Sequence, residues 1–235
     1  MNPAVSSRWT PIAGSAGEFD AYLALPPSGA GPGLLLYQEI FGVNEHIRAV
    51  AEQYALDGFV VLAPDVFWQQ QRRVELGYAG PDMQRARALA GGAQRDALLR
   101  DLADGVKALR ARPEVGARRV GAIGYCMGGR LAFNAAALTD IDAAVAYYGG
   151  GIQDQLALAE RIRCPVMFHY GALDAHIPAA AVQAVRQAMQ GKDAPVHVYD
   201  GADHGFNCWA RASYNAEAAA LAHGRSLAFL AERLF

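Results

Sequence analysis

The sequence predicts an α/β domain built on a mostly parallel, doubly wound sheet with helices on both faces. Three observations carry this. Continuously apolar runs of strand length recur at 34–37, 59–63, 120–123, 143–148, 166–170 and 196–199. Stretches with helical periodicity fall between most of them, at 47–56, 98–109, 131–138 and 182–189. A glycine-flanked cysteine, Gly124-Tyr125-Cys126-Met127-Gly128-Gly129, joins one apolar run to a helix-compatible stretch. Runs without alternation are buried on both faces, and alternation of such strands with helices implies parallel crossovers.

Ahead of this series, residues 19–25 followed by Pro26-Pro27-Ser28-Gly29 read as an antiparallel edge strand ending in a turn. The run at 34–37 starts the parallel set, 47–56 is its first crossover helix and 59–63 the next strand. Residues 67–92, with a glutamine run and several glycines, are the least regular part. A long connection after a strand's carboxyl end is where a lid or substrate wall sits. The Ala-rich end at 216–235 reads as a terminal amphipathic helix.

The 235 residues, 53% of them hydrophobic, suffice for one large core, and no repeat, linker or composition shift divides residues 1–235 into two domains. The net charge of -2, with bases interleaved among acids as in Arg95-Asp96 and Arg100-Asp101, argues against nucleic acid as a partner. Cys126, Cys164 and Cys208 make an odd count without a C-x-x-C pair, so neither a disulfide framework nor a metal site is expected, and a reducing compartment fits. The amino terminus lacks the apolar core of a secretory signal, and no apolar run is long enough to cross a bilayer. The expectation is a cytoplasmic protein acting on a small molecule, as a monomer or small homo-oligomer, without membrane partner.

The motif around Cys126 has the layout of the strand, turn and helix elbow that exposes a nucleophile, with Cys in place of Ser. A thiol there meets the positive end of the following helix. Two later loops leave the carboxyl ends of predicted strands and open on the same edge: 171–178, carrying Asp174 and His176, and 200–206, carrying Asp200, Asp203 and His204. A thiol with a reference pKa of about 8.5 is mostly protonated at neutral pH and needs a base nearby, and an imidazole needs a partner on its other nitrogen. The order nucleophile, acid, histidine is that of the α/β-hydrolases. His176 is the chief rival to His204, and Asp200 and Asp203 to Asp174. His46, His169, His197 and His223 read as core, edge or helix residues, Asp65 as a brace for the turn after Pro64, and Cys164 as packing. Glu39 directly follows a buried strand, where an unpaired carboxylate is costly, so it requires a partner or a raised pKa.

These pieces, with Gln38-Glu39-Ile40-Phe41-Gly42-Val43-Asn44, Ala63-Pro64-Asp65 and Tyr147-Tyr148-Gly149, make nearly the whole chain resemble the dienelactone hydrolase family. The resemblance implies an α/β-hydrolase fold and no cofactor. It implies Cys126 as nucleophile, His204 as general base and later acid, Asp174 as the orienting carboxylate, and Glu39 as a group that contacts the resting thiol and helps activate it. Fold logic puts the oxyanion donors at the backbone N–H of Met127 and of Ile40. The family reaction is hydrolysis of a carboxylated enol lactone, carboxymethylenebutenolide, to maleylacetate, with arginines gripping the carboxylate.

This chain departs from that pattern: Cys208 stands where one such arginine is expected, and Gly205 replaces the serine beside the histidine. Arg85 or Arg87 in the irregular connection, and Arg211 in the insertion at 207–214, are the candidates to rebuild the grip. Tyr148, Phe41 and Cys208 are candidate pocket walls. A thioesterase, amidase or broad esterase on the same triad, a DJ-1-like redox-sensing cysteine protein, and a noncatalytic binding module are the alternatives.

Overall fold

The computed structural model describes residues 4–235. Eight strands form one sheet in the order β1-β2-β4-β3-β5-β6-β7-β8. Strands β3 (Gly33–Tyr37), β4 (Val60–Pro64), β5 (Val120–Tyr125), β6 (Ala143–Tyr147), β7 (Val166–Gly171) and β8 (Val196–Tyr199) run parallel. From β3 to β7 every strand position is buried, as the unbroken apolar runs require.

The reading of 19–25 as an edge strand needs correction. β2 (Gly17–Leu25) is antiparallel to β4 but is itself covered by β1 (Ser6–Gly14), which forms the edge. β1 is largely solvated, burying only Ile12, and carries Pro11, so it has little apolar signature. Ser6↔Leu25 through Gly14↔Gly17 pair in a hairpin closed by Gly17 at φ +136°.

Helices cover both faces. α1 (Glu45–Leu56) and α6 (Ala216–Leu234) lie on one side, where Tyr54 and His223 meet, and α3 (Arg95–Arg110) and α4 (Met127–Leu138) pack together on the other. Asn44 and Asn215 cap α1 and α6 by accepting from the Ile47 and Ala218 N–H groups at 3.2 and 3.0 Å. α5 is Ala179–Ala188. Within the segment read as irregular, α2 (Gly80–Gly92) forms, burying only Ala86; so weak an apolar face leaves little periodicity to read. No helix among the described residues is long and apolar enough to cross a membrane.

After β3 the chain moves to β4 on one side, while β5 lies on the other. The direction of winding therefore reverses between β3 and β5, and in parallel sheets the crevice at such a point is where ligands bind. The two strands ending there lead into Glu39 and Cys126.

Candidate active site

Cys126 itself makes the sharp turn, with φ +55° and ψ -117°, and stands as the residue preceding α4. The flanking glycines provide clearance more than bending. A Cβ on Gly124 would come within 2.0 Å of the Gly128 carbonyl oxygen, and one on Gly128 within 2.1 Å of the Tyr37 carbonyl oxygen. Backbone held that close admits no side chain. The Cys126 N–H donates to the Tyr147 carbonyl at 3.0 Å, tying the elbow to β6, and the thiol stays partly exposed. Met127 opens α4, so its N–H belongs to the terminal donors without an intrahelical acceptor.

Asp174 and His204 converge on this rim. His204 Nδ1 is 2.7 Å from Asp174 Oδ2, while Asp174 Oδ1 accepts from the His176 backbone N–H at 2.8 Å. The side chain of Asp174 is fully buried, and that of His204 nearly so. Burial by itself would lower the His204 pKa. The hydrogen bond that His204 donates to Asp174 and the adjoining Cys126 sulfur outweigh it and carry the imidazole up to about 10. The Asp174 carboxyl, which burial would raise, is held below its usual range by His204. His176 is exposed, its ring edge-on to His204 at 5.2 Å, and it contributes its backbone to Asp174. Asp203 accepts from the His204 N–H at 2.6 Å and so braces the turn. His169 is a core residue, satisfied by Tyr199 at 2.8 Å and Ser226 at 2.9 Å. Asp65 braces its loop by accepting from the Phe67 and Arg73 N–H groups.

Glu39 has both properties its position demands. It is 1% exposed, and its Oε1 accepts from Arg211 Nη1 at 3.0 Å while Oε2 has no partner. Burial raises its pKa, and the positive charges of Arg211 and His204 oppose that rise. The Arg211 guanidinium also lies over the rings of Phe41 and Tyr78, at 5.7 and 5.8 Å. Gly205, at φ +80°, makes this seat possible: a Cβ there would fall 2.4 Å from Arg211 Nη1. The absence of a side chain at Gly205 and the placement of Arg211 on Glu39 therefore depend on one another.

Arg85 and Arg87 are not brought to Glu39. Both are exposed on α2, and Arg85 bonds Gln71 instead. With only Ala86 buried, α2 turns its basic residues outward.

Tyr148, at φ +34°, is fully buried and sets its ring edge-on to His204 at 5.1 Å. Cys208 is buried beside Glu39 and Tyr78, and burial pushes its thiol up to about 11. Ile40 is partly buried against the core.

Three neighbours have no sequence signal. Tyr78 stacks edge-on with Phe41 at 4.5 Å and is held by Asn44 at 3.0 Å. His46 is buried with both ring nitrogens unpartnered, and half-exposed Trp209 covers it at 4.1 Å. The Tyr78 segment reaches the site because Gly42 pairs with Glu75 and the Leu76 N–H donates to the Phe41 carbonyl at 3.0 Å. Such cross-chain ties leave no periodic trace.

A mostly parallel sheet flanked by helices, with a strand, sharp turn and helix carrying Cys126 and an acid and histidine on later loops, defines an α/β-hydrolase fold. The sequence pattern of the Dienelactone hydrolase family matches residues 19–234. The carboxymethylenebutenolidase of Pseudomonas sp. (strain P51) is 38% identical over 221 residues, covering 91% of this chain and 90% of its own. That of Pseudomonas putida is 34% identical over 218 residues, covering 91% of each chain. A Klebsiella pneumoniae crystal structure, provisionally named a dienelactone hydrolase, superposes with a TM-score of 0.87 at 34% identity, covering 97% of this chain and 99% of that one. The chain belongs to the dienelactone hydrolase family and is a hydrolase acting on esters or lactones.

Proposed function

We propose that this chain cleaves a carboxylic ester or enol lactone of the dienelactone type through a thioester on Cys126. The observation that carries the reading is the 2.7 Å contact between His204 and Asp174 beside a thiol raised on a strained elbow. With Nδ1 engaged by Asp174, His204 has Nε2 left to exchange a proton with sulfur. The sulfur attacks the acyl carbon, and the carbonyl electrons collect on an oxygen facing the Met127 and Ile40 N–H groups. The C–O bond then breaks, and the leaving enolate or alkoxide takes the proton from His204. Water, deprotonated by His204, cleaves the thioester and restores the thiol.

Arg211 supports a carboxylated substrate. It is the arginine that reaches Glu39, and a substrate carboxylate competing for its guanidinium would free Glu39 to act as a base. On this reading Arg211 takes the part that the family resemblance gives to an arginine at position 208.

Assay of wild type, Cys126→Ala and His204→Ala against the dienelactone and p-nitrophenyl acetate tests this. Turnover of both esters that disappears in both variants, with acyl label trapped on Cys126, is the expected result. Undiminished hydrolysis by Cys126→Ala would overturn the thioester route, and peroxide-sensitive sulfenate formation without ester turnover would favour a redox role.

A further inference from the structure

A cavity of about 380 Å3 lies behind the nucleophile helix, between the α2–α3 junction, α4 and the 3-10 stretch Gln153–Arg161. Its walls include Leu98, Leu99, Leu131, Arg95, Arg130 and Asn134, and none of Glu39, Cys126, Asp174 or His204 lines it. Its size suits a small organic ligand.

The polar side of this cavity is rich in donors. Arg130, half-buried, and Arg95, exposed at the mouth, both line the cavity, and neither has an ionic or hydrogen-bonded side-chain partner among the described residues, as is also true of Arg87, Arg100 and Arg161 elsewhere on the surface. Gly151, at φ +86°, lets the Arg130 side chain lie against the backbone, since a Cβ there would sit 2.8 Å from Nη1. Asn134 lies one helical turn after Arg130, on the same face of α4. It is 4% exposed, and its buried Oδ1 has no partner, which leaves the amide nitrogen as the end free to meet the cavity. That nitrogen can donate to an anion in the cavity.

We propose that this cavity binds a small organic monocarboxylate, with the carboxylate on Arg130, Arg95 and Asn134 and the apolar body against Leu98, Leu99 and Leu131. Guanidiniums match a carboxylate in shape and charge. The Asp154 carboxylate, also on the cavity wall, disfavours a second negative charge on the ligand. Because Arg130 lies four residues after Cys126, occupancy engages the helix that carries the nucleophile.

The test uses full-length protein and 3-phenylpropionate, with 3-phenylpropionamide as the neutral control, followed by calorimetry and amide chemical-shift mapping. The expected result is saturable binding that shifts the amides of Arg130, Asn134 and Gly151. Affinity should fall about tenfold or more for the neutral analogue and in Arg130→Gln, in line with loss of one charge-assisted contact. Leu99→Trp, which fills the cavity without removing charge, should abolish those shifts with the melting temperature retained. Shifts confined to the Glu39 and His204 loops, no binding by wild type, or unchanged binding in Leu99→Trp would overturn the proposal.

Discussion

Arg211→Gln removes the counter-charge from a carboxylate that has no other partner. Glu39 is 1% exposed, Arg211 Nη1 at 3.0 Å is its side chain's hydrogen-bond donor, and Oε2 is unpaired. Breaking a buried pair by deleting one member costs about 3–5 kcal/mol. Glu39 can escape part of that cost by taking up a proton. Against an unfolded glutamate of pKa about 4.3, protonation at about pH 7 costs roughly 3.7 kcal/mol, which sets the ceiling. The Arg211 side chain keeps 16% exposure, so water screens part of the wild-type attraction, and the expected loss at neutral pH is about 2–3 kcal/mol.

The sign of the pH dependence follows from the raised pKa of Glu39. Between the unfolded and folded pKa values the native protein binds more protons than the unfolded chain, so stability falls as pH rises through that window. Without Arg211 the folded pKa rises further and the window widens. The deficit relative to wild type should be largest near pH 8 and vanish below about pH 4.3, where both states hold the proton. Urea unfolding of both proteins at about pH 5 and about pH 8 measures it. An equal deficit at both pH values, or none near pH 8, would refute the reasoning. The same variant should lose roughly 10- to 100-fold in preference for a carboxylated over a neutral ester, the worth of one charged hydrogen bond.

Asp174→Asn removes the charge that helps carry His204 up to about 10, so the imidazole should titrate nearer neutrality by NMR and turnover should fall roughly 1,000- to 10,000-fold. In the wild type this raised histidine contributes stability that is fully present below about pH 6.5 and is lost as pH rises through about 10; a melting-temperature series in the two proteins checks the sign. Glu39→Gln keeps the side-chain shape while removing its charge; the fold should survive and turnover drop sharply, and unchanged kinetics would remove Glu39 from the mechanism. Gly128→Ala drives a Cβ to within 2.1 Å of the Tyr37 carbonyl oxygen and should cost upward of about 3 kcal/mol, so a soluble variant melting like wild type would contradict the close approach.

The elements legible in the sequence are those whose burial is written into consecutive residues. β3 to β7 are buried at every position, so their apolar runs stand out in the sequence, and the elbow is legible because its glycines sit beside Cys126. β1 stayed hidden because a strand with one buried side chain carries almost no pattern, and α2 because only Ala86 faces inward. Asp174 and His204 are legible as loop residues after strands, since a parallel sheet sends both loops to one edge.

Local order along the polymer thus settles the parallel strands and the side chains their ends deliver, but not the edge of the sheet. The partner of Glu39 is a different matter. Arg85, Arg87 and Arg211 are chemically equivalent in the sequence, and the choice among them depends on α2 turning outward and on the space that Gly205 leaves for a guanidinium. Likewise, Arg95 and Arg130 are brought to one cavity only by the packing of the α2–α3 junction, α4 and the 3-10 stretch. Contacts between distant segments are set by packing in three dimensions, where a missing methyl group decides which charge reaches which, and no periodicity records that.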